Sequence, residues 1–173
     1  FNRTPVGLRD VEAVQLDFDT PQAVRRLREL KPDAIVHAAC KVKGTGNGRV
    51  VTPAMQLNRR MMDVVLDQGV PVVYLSSTCV HWDRPSGYAA GRREDERRLR
   101  EAGVPWAVLR PCAPYGPRLA GHQPGHKESF HTLAELVRKS PLVPVIGDGR
   151  YLRQPIHVDD LSEAILTLLE RGL

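Results

Sequence analysis

The chain is short of the residues that build disulfide frameworks, metal centres and membrane spans. Its 173 residues include three cysteines, Cys40, Cys79 and Cys112. Their number is odd, their spacings are long and no C-x-x-C occurs, which argues against both a disulfide scaffold and a zinc site. Free thiols of this kind fit a reducing compartment, so a cytoplasmic location is expected. The histidines number six and form no metal-type pair at helical spacing on a convincing helix. His122, His126 and His131 fall in or beside a Gly/Pro-rich stretch, where loop histidines are the simpler reading. No apolar run approaches the ~20 residues that a membrane helix needs, and no membrane partner is expected. Phe1-Asn2-Arg3-Thr4-Pro5 has no apolar signal core, and a chain opening on Phe1 leads us to expect further residues upstream. Aromatic residues are only 5%, with no aromatic-rich basic patch, so nucleic acid is not an expected partner. Charge of a single sign is scarce too: 25 Lys and Arg face 20 Asp and Glu, a net +5. The run Arg92-Arg93-Glu94-Asp95-Glu96-Arg97-Arg98 mixes signs at i,i+4 spacing and reads as a solvated helix face. The mild basic excess suits an anionic small molecule.

What is present is an ordinary globular composition, 42% hydrophobic and 26% charged, in about one domain's length on a prior of ~150 residues. Val11-Glu12-Ala13-Val14-Gln15-Leu16 alternates like a strand. Thr20 with Pro21 opens a helix over 22–30. Residues 33–39 form a short apolar run, a buried-strand pattern. A loop holding Gly44, Gly46 and Gly48 precedes a helix over 53–68, closed by Gly69. Residues 71–76 read as a strand, 88–102 as a polar helix stopped by Gly103, and 105–110 as a strand. A helix over 128–139, an extended piece over 143–146 and a helix over 159–171 complete the chain. Apolar strands alternating with helices of ten or more residues predict a doubly wound α/β fold with a parallel sheet covered on both faces.

Ligands in such sheets bind beyond the C-terminal strand ends. Small and polar residues gather there: Asp17-Phe18-Asp19, His37-Ala38-Ala39-Cys40, Ser76 to His81, and Arg110 to Pro117. Ser76, Ser77 and Thr78 form a hydroxyl cluster. Tyr88 opens the next helix, with Arg92 four residues on along the same face. A cation beside a phenol favours phenolate and lowers its pKa, and a serine hydroxyl can bond the same substrate oxygen. Together they make a proton-transfer site for a carbonyl or alcohol. A Ser-rich turn and a surface Tyr on a polar helix would give the same spacing.

Five segments stand in order: Asp17-Phe18; Asp33-Ala34-Ile35-Val36-His37-Ala38-Ala39; Ser76-Ser77-Thr78; Tyr88-Ala89-Ala90-Gly91-Arg92; and Arg110-Pro111-x-x-x-Tyr115-Gly116-Pro117 with His157-Val158-Asp159-Asp160-Leu161. They resemble an adenine-pocket acid, D-x-V-x-H-x-A-A, a catalytic Ser/Thr strand end, Y-x-x-x-K, R-P-x-x-x-Y-G-P and H-V-D-D-[LV]. This series, over nearly the whole chain, resembles the extended short-chain dehydrogenase/reductase family of sugar-nucleotide epimerases, dehydratases and reductases. The resemblance implies a Rossmann-like fold, one NAD(P)-binding domain over 1–173, and part of a substrate-binding region over 118–155. It implies catalytic Tyr88, Ser77 (or Thr78) and Arg92, with Asn58 orienting a water or the backbone nearby. Cofactor contacts would come from Asp17, Phe18, His37, Ala38, Ala39, Tyr88, Arg92, Arg110 and Pro111. The cofactor would be NAD or NADP, tipped to NADP by Arg3, since guanidinium pairs well with a 2′-phosphate. The substrate would be a nucleotide sugar or similar small molecule, handled by a homodimer. Ala39-Cys40-Lys41-Val42-Lys43-Gly44 and Ser77-Thr78-Cys79-Val80-His81 are also similar to the GDP-fucose synthase family. That likeness implies Cys79 and His131 as an epimerisation acid/base pair. A small buried Cys and a helix-start His are the plainer readings.

The sequence departs from the family pattern in four ways. The G-x-x-G-x-x-G turn that seats a pyrophosphate is absent, and Gly44-Thr45-Gly46-Asn47-Gly48 comes after a later strand. The first β-α-β unit is therefore expected upstream, and most of the substrate region beyond Leu173. The expected lysine is Arg92, a planar fork and not a compact ammonium. The Ser77–Tyr88 interval is short for the extended class. Two functions are consistent with this: an NAD(P)-dependent enzyme, or a degenerate binder that keeps the fold without turnover.

Overall fold

Three short strands of apolar and β-branched residues make the central sheet: β1 (Ile35–His37), β2 (Val72–Leu75) and β3 (Trp106–Leu109). The computed structural model describes residues 11–117 and 129–173, apart from residues 144, 146, 151 and 153. The strands run parallel in the order β1-β2-β3, with His37 opposite Tyr74 and Leu75 opposite Leu109. Parallel neighbours need a crossover, and α2 (Pro53–Leu66) and α3 (Gly87–Glu101) supply the two. Helix α1 (Gln22–Glu29) precedes β1, and α4 (Ser129–Lys139) and α5 (Val158–Arg171) follow β3. Side chains cap the crossover helices. The Thr52 hydroxyl accepts from Met55 N–H at 3.3 Å with Pro53 in the first turn, and the Ser86 hydroxyl accepts from Ala89 N–H at 3.3 Å. Gly69, at φ 67°, closes the turn after α2 as the sequence predicts.

β2 is the centre of the packing: Val72, Val73 and Tyr74 have no exposed surface. On one face Val72 and Tyr74 meet Met62 and Val65 of α2 and Leu99 of α3, flanked by Ile35 and Val108. Strand alternation turns Val73 and Leu75 to the other face. There α5 meets the sheet, with Asp160, Glu163 and Ala164 beside Leu109, the register neighbour of Leu75. Helices on both faces of a parallel sheet are the doubly wound arrangement that the sequence predicts.

Three local expectations are corrected, and one small sheet was not foreseen. Residues 11–16 form no strand: Val14 and Leu16 are half-buried between exposed neighbours, but no strand among the described residues pairs with them. Thr20 does not cap α1; its hydroxyl donates to the Asp17 carbonyl at 2.8 Å, and Pro21 takes the cap position without a side-chain bond. The described residues of 143–146 are not in a strand. Two pairs of residues that carried no apolar run, β4 (Pro114–Tyr115) and β5 (Ile156–His157), form a second parallel sheet. Tyr115 holds it to α4 through a ring contact with Phe130 (4.8 Å), and across the sheet its ring meets that of its register partner His157 at 5.1 Å.

Candidate active site

Helix α3 carries the site. Ala89, Arg92, Glu96 and Leu99 fall at spacings of three and four and form its buried stripe, at 0%, 5%, 2% and 0% exposure. The charge run is therefore only in part a solvated face: Arg93 and Arg97 are exposed, but Arg92, Asp95 and Glu96 are inside. A buried charge must be paired or hydrogen-bonded, and two networks do this. In the first, Arg92 Nη1 donates to Tyr74 Oη at 2.6 Å, and Tyr74 O–H donates to Asp95 Oδ2 at 2.8 Å. The guanidinium carbon lies 5.2 Å from the Tyr74 ring centroid and 5.2 Å from that of Tyr88. His37 stacks on Tyr74, centroids 5.5 Å apart. Arg92 Nε is buried and has no hydrogen-bond partner among the described residues.

The second network centres on Glu96. Its Oε1 accepts from Ser76 Oγ at 2.6 Å and Arg110 Nε at 2.9 Å. Its Oε2 accepts from Arg110 Nη2 at 2.6 Å and Arg100 Nη2 at 3.0 Å. One carboxylate thus ties the ends of β2 and β3 to α3, with a bidentate arginine fork that fixes geometry as well as charge. Ser76 is engaged here, which leaves Ser77 and Thr78 as the hydroxyls available to a substrate. Ser77 begins a 3₁₀ turn over Thr78–His81 and its hydroxyl accepts from Cys79 N–H at 3.2 Å. That turn packs on α3, where Arg93 Nη1 donates to the Val80 carbonyl at 2.9 Å.

A third set of contacts fixes where α3 begins. The loop 44–48 lies against Gly87, the residue before Tyr88. Gly87 N–H donates to the Gly46 carbonyl at 3.0 Å. A Cβ at position 87 would stand 1.9 Å from the Thr45 carbonyl oxygen. The loop itself is pinned: Asn58 accepts from Lys41 N–H at 2.7 Å and donates to its carbonyl at 3.0 Å, and Thr45 donates to the Val42 carbonyl at 3.1 Å. This glycine-rich loop therefore seats the start of α3.

Burial dominates the electrostatics. The Tyr88 hydroxyl is pushed up by burial, and Arg92 only partly offsets it. This corrects the expectation of a lowered pKa: the loss of water around the phenolate outweighs the cation. Burial and, secondly, Arg92 lower His37 to about 4, so it is neutral near pH 7. Burial raises the Asp95 carboxyl and the thiols of Cys40 and Cys79. Glu96 goes the other way, held low by the Arg110 hydrogen bonds.

Arg92 and His37 meet at Tyr74, Tyr88 lies against Arg92, and the Ser77–Thr78 turn, just past the end of β2, packs on the same helix. Ala38 is exposed and Ala39 half-buried just beyond His37. Arg110 is engaged by Glu96, with half-buried Pro111 next to it. Asp17 is exposed and its Oδ1 accepts from Asp19 N–H at 3.0 Å, while Phe18 is half-buried. Cys79 has no exposed surface, and no hydrogen bond joins it to His131 among the described residues. Arg3, His122 and His126 lie outside the described residues. The residues missed from sequence are Tyr74, Asp95, Glu96, Gly87 and Thr45. A tyrosine inside a buried strand, whose hydroxyl needs a partner, was one available signal.

No helix among the described residues is long and apolar enough to cross a membrane. The chain is 28% identical over 160 residues to a ceramide reductase of Caulobacter vibrioides, covering 91% of this chain and 46% of that protein. Its fold is similar to that of the epimerase Mth375 of Methanothermobacter thermautotrophicus (TM-score 0.71, 18% identity, 94% of this chain and 55% of that one). It is also similar to the dTDP-4-dehydrorhamnose reductase of Bacillus anthracis, solved in complex with NADP (TM-score 0.63, 20% identity, 90% and 59%). The chain thus spans about half the length of these relatives. Residues 2–173 match the model of one family, and on that match the chain belongs to the NAD dependent epimerase/dehydratase family.

Proposed function

We propose that this chain is the cofactor-binding and catalytic part of an NAD(P)-dependent enzyme that reduces, epimerises or dehydrates a nucleotide sugar or similar polar carbonyl compound. The observation that carries this is the packing of the Arg92 guanidinium on the Tyr88 ring, 5.2 Å away, on a helix seated against the Ser77–Thr78 turn. The unpartnered Arg92 Nε supports a dinucleotide there. A buried donor without an acceptor is costly, and a ribose hydroxyl oxygen is an acceptor of the needed kind. Ala38, Ala39 and Pro111 would line the dinucleotide, Asp17 and Phe18 its adenine end, and Arg3 a 2′-phosphate. Arg110 would act by holding the strand end through Glu96. Residues 118–155 would contribute to substrate binding.

When bound, a nicotinamide supplies or accepts the hydride. The chain's own residues handle the proton. Burial keeps the Tyr88 proton in place near pH 7, which suits it to give that proton to the oxygen of a carbonyl being reduced. Arg92 then stabilises the phenolate left behind. Ser77, or Thr78 one place along, donates a hydrogen bond to the same oxygen. In an epimerisation, Cys79 and His131 would be the acid/base pair. The three free thiols fit a cytoplasmic enzyme, and a homodimer is the oligomer to test.

Tyr88→Phe should lower turnover roughly 10²–10⁴-fold, the usual worth of positioned proton transfer, and leave dinucleotide affinity nearly intact. The assay follows reduced nicotinamide absorbance with NADH and NADPH against nucleotide-sugar ketones, and with a ceramide-type substrate because of the Caulobacter relative. A Tyr88→Phe protein as active as the parent overturns the assignment. Equal affinity for both dinucleotides, unchanged in Arg3→Ala, overturns the NADP preference. The second reading, a binder without turnover, is favoured by arginine at position 92. It predicts dinucleotide affinity with no hydride transfer to any substrate tried.

A further inference from the structure

Arg92 stands where the Y-x-x-x-K pattern has lysine, and the two side chains make different demands. An ammonium is a compact charge with rotatable donors. A guanidinium is a planar fork whose five N–H groups point in fixed directions. At 5% exposure the fork needs acceptors placed to its own geometry. The sheet provides one: Tyr74 Oη accepts from Nη1 at 2.6 Å. Asp95, 6% exposed and three residues from Arg92 on α3, accepts the Tyr74 proton at 2.8 Å. One phenol therefore stands between a buried guanidinium and a buried carboxylate. Its ring is fixed independently, stacked on His37 and packed in the core cluster with Met62 and Leu99.

We propose that Tyr74 and Asp95 are positioning residues that adapt this site to arginine. They hold the fork by its Nη1 arm, against the Tyr88 ring, and leave Nε as the donor available to a dinucleotide hydroxyl. A lysine on the same backbone has no second arm to reach Tyr74, so it would not need the pair. This role rests on the dinucleotide-binding reading above.

Tyr74→Phe is the direct probe, since it keeps the ring and its packing and removes only the bridging hydroxyl. Two measurements on purified protein separate positioning from simple core support. The first is ¹⁵N NMR of arginine-labelled protein without cofactor, where a held Arg92 gives a resolved, slowly exchanging Nε–H signal that Tyr74→Phe should broaden or erase. The second is equilibrium titration with NADH and NADPH in a double-mutant cycle. Tyr74→Phe should weaken binding of the preferred dinucleotide about tenfold in the parent and under about twofold in the Arg92→Lys background, the non-additivity expected of directly coupled residues. Asp95→Asn keeps an acceptor for Tyr74 but loses the charge. It should cost about threefold, again only beside Arg92, and it carries the test should Tyr74→Phe fold poorly. An unchanged Arg92 signal, or equal losses in both backgrounds, makes Tyr74 a core residue and overturns the proposal while the proposed function stands. A parent protein with no affinity for either dinucleotide overturns the proposed function and this role with it.

Discussion

Replacing Gly87 by alanine adds one carbon at the tightest approach in the site. That Cβ would lie 1.9 Å from the Thr45 carbonyl oxygen, 2.8 Å from its carbonyl carbon and 3.2 Å from Met55 Sδ. The sulfur can swing away, but the carbonyl is backbone in a loop pinned by Asn58 and by the Gly87–Gly46 hydrogen bond. Reaching even a tight 3.0 Å requires α3 and the loop to part by about 1 Å, the range in which overpacking costs ~1–3 kcal/mol. For a domain of this size ~2 kcal/mol lowers Tm by roughly 4–8 °C. The shift falls on the residue before Tyr88, and a misplacement of ~1 Å can cost up to about 10²-fold in rate. Gly91→Ala is the control on the same helix. Its Cβ meets nothing within 4 Å, so helix propensity alone predicts a gain of ~0.5–1 kcal/mol. Urea and thermal unfolding of both variants, with dinucleotide titration, test this. A Gly87→Ala protein as stable as Gly91→Ala, with parental affinity, would refute the claim that loop 44–48 seats α3.

Three further outcomes follow from the buried networks. His37, at about 4 in the fold against 6.5 for the free side chain, binds its proton more readily when unfolded. Stability should therefore be full above pH ~6.5 and fall by up to ~3 kcal/mol as pH drops toward 4; urea midpoints across that window should flatten in His37→Gln, and an unchanged slope would count against a buried neutral imidazole. Glu96→Gln keeps one acceptor but breaks the bidentate pair with Arg110, and should cost ~1–3 kcal/mol in urea unfolding; a loss below a few tenths would mean Arg110 and Ser76 repartner freely. Arg92→Lys should keep or raise turnover, because the ammonium still stabilises phenolate and is the family's residue; loss of all activity, with dinucleotide affinity retained, would show that the fork itself is required.

The elements that place the site were legible because each carries its own local signal. Apolar runs marked β1, β2 and β3, and Gly69 marked the end of α2. Residues 11–16 misled because alternation describes which side chains are sheltered, whereas a strand also needs a neighbour to complete its ladder. The charge run on α3 misled for a related reason. The i,i+4 rule counts partners on the same helix, but these partners sit on a strand or just past a strand end: Tyr74 is 21 residues from Asp95, Ser76 20 from Glu96, and Arg110 14 from Glu96. The stripe Ala89-Arg92-Glu96-Leu99 contained the clue, since its apolar ends continue through two charges at unbroken helical spacing. The Gly87–Thr45 approach had no such clue, because it joins residues 42 apart through backbone atoms that every residue possesses. A motif read along one segment therefore under-determines its chemistry. Tyr88-Ala89-Ala90-Gly91-Arg92 fixes which residues share a helix face, while Tyr74 and Asp95 decide whether the arginine on that face is held or free. With phenylalanine at 74 the same five residues would bury a guanidinium without its acceptor, and the substitution of arginine for lysine would lose its structural basis.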